Sequence, residues 1–154
     1  MPINEANQPQ QVLFLCTGNY YRSRFAEIIF NWHCERRQLN WLADSRGLAL
    51  DVCNNGPISR YTLKNLEARG IASDTFSRFP LPVTEPDFAA ADRIIAVKEA
   101  EHRAMVERRF TKWREHIEYW HIHDLDCAMP DTALPHLERE VLRLLDGLAA
   151  KQAA

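Results

Sequence analysis

Cys16 and Arg22 are the pair with the most chemistry to offer in this sequence. They bound the stretch Cys16-Thr17-Gly18-Asn19-Tyr20-Tyr21-Arg22-Ser23. A loop between a strand end and a helix start turns several backbone N–H groups inward, where they meet an anion. Gly18 is expected to allow the tight curvature. Arg22 can grip two phosphate oxygens with its planar fork, which a lysine cannot do. The same donors would stabilise a thiolate on Cys16 and a phosphate with its transition state. The chemistry indicated is attack of the Cys16 sulfur on a bound phosphate. The stretch is not a Walker loop, because the second glycine and the Lys-Ser/Thr pair are missing, and it lacks the glycines of a dinucleotide fingerprint.

Cysteine and arginine at this spacing mean little alone, so the elements around them carry weight. Residues 11–16 form a short apolar run that reads as a buried strand. A helix is expected from about Ser23, with Phe25, Ile28, Ile29 and Trp32 on one face. Strands are expected at 41–45, 93–97 and 117–122, and a helix over 99–109. Asn54-Asn55-Gly56-Pro57 reads as a turn. Ser59 reads as the cap of a helix running through Leu66 and stopped at Gly70. Residues 71–86 carry three prolines and read as loop. A last helix is expected from about Pro130, with Leu134, Leu137, Val141, Leu144, Leu145 and Leu148 as its apolar stripe. Strands alternating with helices imply an α/β fold, with a parallel sheet covered on both faces and ligands bound beyond the strand ends. Cys16 stands at such an end.

A chain of 154 residues favours one domain, expected over residues 11–150 behind a loose leader at 1–10. A formal net charge of −2 gives no global attraction to nucleic acid or to an anionic membrane. No apolar run is long enough to span a bilayer, and the polar start resembles no signal peptide. The expected setting is cytoplasmic, where thiols stay reduced. Cys16, Cys34, Cys53 and Cys127 are widely spaced, which argues against a disulfide framework or a structural zinc. His121 and His123 lie near Asp126 and Cys127, yet nothing else at ligand spacing supports a metal site, and none is expected.

The run from Val12 to Ser23 resembles the low-molecular-weight protein tyrosine phosphatases, whose loop reads Cys-x-Gly-Asn-x-x-Arg-Ser directly after the first strand. The resemblance continues through Ser45-Arg46-Gly47, Gly56-Pro57-Ile58-Ser59 and Ile122-His123-Asp124. It implies a three-layer fold: a four-stranded parallel sheet with helices on both faces and a phosphate-binding loop after strand 1. It also implies a metal-independent phosphomonoester hydrolase that needs no cofactor and works through a cysteinyl-phosphate. Cys16 would be the nucleophile and Arg22 the clamp. Thr17, Gly18, Asn19, Tyr20, Tyr21 and Ser23 would complete the phosphate loop. Asn19 and Ser45 would hold that loop, and Ser23 would donate to the sulfur. Asp124 would protonate the leaving oxygen and then activate water. Partners would be a phosphate ester, including a phosphoprotein, and oxyanions such as phosphate or sulfate.

The chain departs from that pattern in places. Asp124 is followed by Leu125-Asp126-Cys127 rather than by proline and aromatics, which leaves Asp126 as a second candidate for the acid. No aromatic follows Gly47 where a groove wall is expected, so the groove should discriminate poorly in favour of phenyl rings. Tyr21 stands where a second loop cysteine often lies. Tyr20 and Tyr21 are expected to divide two tasks, one at the groove entrance and one packing the loop. Two other functions remain compatible with the cradle. One is an arsenate reductase relaying a disulfide through Cys53 or Cys127. The other is a phosphate or phosphopeptide binder without catalysis.

Overall fold

The computed structural model describes residues 8–72 and 76–153. Four strands, β1 (Gln10–Cys16), β2 (Trp41–Gly47), β3 (Arg93–Ala96) and β4 (Ile117–Tyr119), form one sheet in the order β2-β1-β3-β4. Every neighbouring pair is parallel, with Cys16 opposite Gly47 and Leu15 opposite Ala96. This is the expected α/β architecture. Alternation along β1 divides the core. Val12, Phe14 and Cys16 join a cluster with residues of α1 (Arg22–Arg37) and α5 (Pro130–Ala153). Leu13 and Leu15 face the other way, toward Phe88 of α3 (Glu85–Ala90) and Val106 of α4 (Glu99–Arg109). Helices therefore cover both faces, as an all-parallel sheet requires.

The strand order creates the site. The chain leaves β1 for β2 on one side and returns to β3 on the other, so the crevice at the carboxyl ends opens beside β1. The loop after β1 and the first turn of α4 are thereby brought together. Ser59 caps α2 (Arg60–Ala68) by accepting from the Tyr61 N–H at 3.2 Å. Gly70, at φ 76°, ends it as the left-handed residue past the helix.

Three expectations need correction. The leader falls mostly on residues 1–7, outside those described, and Gln10 already belongs to β1. The segment read as loop over 71–86 includes the start of α3, which a Thr84–Asp87 capping box initiates; residues 73–75 of that segment are not among those described. The fourth strand is only three residues long, and past it His121 makes an isolated antiparallel bridge with Lys98.

Candidate active site

The loop from Cys16 to Arg22 turns on Asn19, whose φ is 51°. Asparagine tolerates this left-handed conformation better than other residues with a Cβ. Gly18 has no positive φ, so the expected role for its freedom passes to Asn19. The fully buried Asn19 side chain then ties the loop together. Its Nδ2 donates to Ser23 Oγ and to Ser45 Oγ, both at 2.9 Å. Its Oδ1 accepts from Arg78 at 3.1 Å and from the Leu81 N–H at 3.0 Å. Ser45 Oγ in turn donates to Glu27 at 2.5 Å, and Arg24 Nη1 donates to both Glu27 oxygens, at 3.0 and 2.9 Å.

Cys16 is buried, and its sulfur lies 2.9 Å from Ser23 Oγ. The Asn19 N–H donates to the same sulfur at 3.2 Å. Arg22 is also buried. Its Nη1 donates to Glu101 Oε2 at 3.1 Å and to the Ile122 carbonyl at 3.0 Å, and its Nη2 donates to Glu101 Oε1 at 2.9 Å. Asp124 Oδ2 approaches Nη2 at 3.3 Å. Burial works against the Arg22 charge, but Glu101, Cys16 and Asp124 together hold its pKa above the ordinary arginine value.

The other loop side chains are engaged elsewhere. Thr17 donates to Glu101 Oε1 and lies 3.1 Å from His102 Nε2. Tyr20 donates to the Asn55 carbonyl at 2.5 Å. Tyr21 is buried in the core cluster, and burial, aided by Asp124, pushes its pKa up to about 12. What these residues can offer a phosphate is backbone N–H, aided by the start of α1.

A cavity of about 720 Å³ opens over this loop. Cys16, Arg22, Tyr20, Tyr21, Asp124 and Asp126 all line it. So does Tyr61 from α2, an aromatic wall that the sequence alone does not indicate, since the places where one is expected lie after Gly47, after Asp124 and in the loop at Tyr20 and Tyr21. Glu101, His102, Arg78 and Glu27 were missed as well. Glu101 reads in sequence as an ordinary acidic residue in the first turn of a helix, and Arg24 with Glu27 as an ordinary surface pair. Nothing local marks them. Among the described residues, no group of three His, Cys, Asp or Glu is placed to hold a metal ion, and no helix is long and apolar enough to cross a membrane. Cys34 is buried within α1, whereas Cys53 and Cys127 are exposed.

The profile of the low molecular weight phosphotyrosine protein phosphatases matches residues 11–149. A protein-arginine-phosphatase of Bacillus subtilis is 28% identical over 106 residues, covering 69% of this chain and 67% of that protein. A low molecular weight protein tyrosine phosphatase from Bacillus subtilis, solved in solution, is 25% identical with a TM-score of 0.74, covering 94% of this chain and 100% of that one. YfkJ from Bacillus subtilis superposes with a TM-score of 0.79 over 93% of this chain and 96% of its own, at 24% identity, a likeness that speaks to the fold. These relatives do not favour the arsenate reductase alternative. The chain belongs to the low molecular weight phosphotyrosine protein phosphatase family, and it is a cysteine-dependent phosphatase.

Proposed function

We propose that this phosphatase acts on phosphorylated side chains of proteins by two displacements at the Cys16 sulfur. The single observation that carries the reading is the surroundings of that sulfur: Ser23 Oγ at 2.9 Å and the Asn19 N–H at 3.2 Å. Both can donate to the sulfur, whose nucleophilic form is the thiolate. In the first step the thiolate attacks phosphorus, the S–P bond forms and the bond to the leaving oxygen breaks. Asp124 gives that oxygen its proton, without which an alkoxide or phenoxide departs slowly. In the second step Asp124 takes a proton from water as the water attacks phosphorus. The S–P bond breaks, Ser23 donates to the returning thiolate, and inorganic phosphate leaves.

Asp124 is preferred to Asp126 as the acid because its carboxylate already stands 3.3 Å from the clamp, beside the path a phosphate must take. Arg22 and the loop N–H groups supply the positive field, so the two steps are written without a metal. Free phosphate and sulfate fit the same cradle as competing oxyanions. The relatives are named for phosphotyrosine and for phosphoarginine in proteins, and a phosphoprotein suits an open cavity with Tyr20 and Tyr61 on its walls. A reducing compartment, the cytoplasm, suits an enzyme whose nucleophile must remain a thiol.

Cys16→Ser tests the mechanism. Serine is a poor nucleophile without an adjacent base. The variant should lose aryl phosphate hydrolysis and still bind inorganic phosphate. Turnover near the wild-type rate would exclude Cys16 as the nucleophile.

A further inference from the structure

Arg22 carries five N–H donors in two planar forks. Three of those donors are used. Glu101 takes the Nη1–Nη2 fork with both of its oxygens, and the Ile122 carbonyl takes the second Nη1 hydrogen. The other fork, Nε with the remaining Nη2 hydrogen, meets no acceptor within hydrogen-bond geometry among the described residues; only Asp124 approaches it, at 3.3 Å. Glu101 is itself fixed from behind. His102, fully buried, accepts the Lys98 N–H on Nδ1 at 3.1 Å, which leaves its hydrogen on Nε2. Nε2 points at Thr17 Oγ1 at 3.1 Å and lies 3.5 Å from Glu101, and Thr17 donates to Glu101. Each donor in this chain has an acceptor, from the backbone of residue 98 to the guanidinium.

We infer that Glu101 is a positioning residue for the phosphatase reaction: it holds one fork of Arg22 so that the other faces the phosphate, and it sets the charge of the cradle. The inference rests on the phosphatase reading above. Two consequences follow from the geometry. First, the clamp is pre-aimed, so its second fork need not reorganise as the phosphate passes through the transition state. Second, Glu101 places a fixed negative charge behind the guanidinium. Burial would raise its pKa, but hydrogen bonds from His102, Arg22 and Thr17 hold it well below the usual carboxylate range. The groups that face it are Arg22 on α1, Thr17 in the loop and His102 on α4, with Cys16 and Asp124 beyond the guanidinium. His102 is kept neutral by burial. The cradle thus carries less positive charge than its arginine alone would provide, and its selectivity for phosphate comes from aim more than from net charge.

Two variants separate aim from charge. Glu101→Gln keeps the shape, removes the charge and turns an amide donor toward a guanidinium donor. Glu101→Asp keeps the charge but is one methylene too short to hold both nitrogens. Both should lower kcat for an aryl phosphate by about tenfold or more, the scale of one charge-assisted hydrogen bond. Direct titration with inorganic phosphate should show affinity unchanged or tighter in Glu101→Gln, which has lost a repelling charge. If Glu101→Gln does not fold, Glu101→Asp still decides, through lowered kcat with retained phosphate affinity. A kcat within twofold of wild type in the folded variants would overturn the inference. So would a parallel fall in kcat, phosphate affinity and thermal midpoint, which is the mark of a merely structural residue. Because phosphate binding is measured separately, a wild-type chain that binds phosphate yet turns over no ester contradicts the phosphatase reading instead.

Discussion

Both hydrogens of the Asn19 amide are committed, one to Ser23 and one to Ser45, and that commitment directs the Ser23 hydroxyl. Its oxygen already accepts from Asn19, so its own hydrogen is free to meet the sulfur 2.9 Å away. A hydrogen bond to a charged group is worth about 1.5–3 kcal/mol, enough to matter for a leaving thiolate. Asp124 has the complementary task at the other end of the reacting bond. Its Asn variant should slow an ester with a poor leaving group by about a hundredfold or more, and one with a good leaving group far less, because proton donation matters only when the departing oxygen is basic. The check is kcat across a series of aryl phosphates of graded leaving-group pKa. An equal loss across the series, or a larger effect from Asp126→Asn, would move the acid role off Asp124. At this scale the contiguous residues were legible, since Cys16 through Ser23 form one unbroken motif. The partners that hold them were not. Glu101 lies 79 positions from Arg22 and Arg78 lies 59 from Asn19, and no local pattern announces a contact made only by the fold.

The end of β2 is the element that holds the phosphate loop in place. Past Gly47 the chain continues beside the loop, with the Leu48 N–H donating to the Cys16 carbonyl and the Ala49 N–H to the Thr17 carbonyl, both at 2.9 Å. Gly47 also pairs with the segment that follows Arg78: its N–H donates to Leu81 and its carbonyl accepts from Val83. There is no room here for a side chain. A Cβ at Gly47 would meet the Thr17 carbonyl oxygen at 2.8 Å and Leu50 Cδ2 at 2.6 Å. Leu50 can swing away, but the Thr17 carbonyl cannot move without moving the loop. Gly47→Ala should therefore cost about 1–3 kcal/mol of stability, as overpacking does, and should lower kcat/KM as well. Gly56→Ala is the contrast: its φ of 73° is strained for alanine, but a Cβ there meets nothing. It should cost about 1 kcal/mol and leave kcat/KM unchanged. Chemical denaturation and steady-state kinetics on the two variants check both statements, and equal activity in both would contradict the role given to Gly47. Periodicity revealed α1 and α5 because their apolar stripes are long, whereas α4 buries only His102 and Val106 and shows no such stripe. It failed for α3, six residues whose helical nature lies in a capping box and one buried Phe88. It overextended β4, because the residues after Tyr119 bond to Ala96, Val97 and Glu99 while the pairing turns into an isolated antiparallel bridge and the parallel ladder stops.

For the molecule as a whole, the order β2-β1-β3-β4 is what turns a cysteine at a strand end into a reaction centre. It sets the start of α1 and the first turn of α4 on the same crevice, so Arg22 and Glu101 meet beside Cys16. Short apolar runs alternating with helices made the parallel sheet legible. The groove walls were less so, because Tyr61 reaches the cavity from α2 and only the packed arrangement of α2 against the loop reveals it. The central claim is that the phosphoryl group passes through the Cys16 sulfur. The most direct measurement is to mix the enzyme with an aryl phosphate, quench in acid within the first turnover, and locate the modified residue by peptide mass analysis. The account predicts one phosphoryl group on the peptide containing Cys16, absent from Cys16→Ser and enriched in Asp124→Asn, where water is activated more slowly. A rapid burst of product with no phosphoryl group on Cys16, or with the group on another residue, would contradict it.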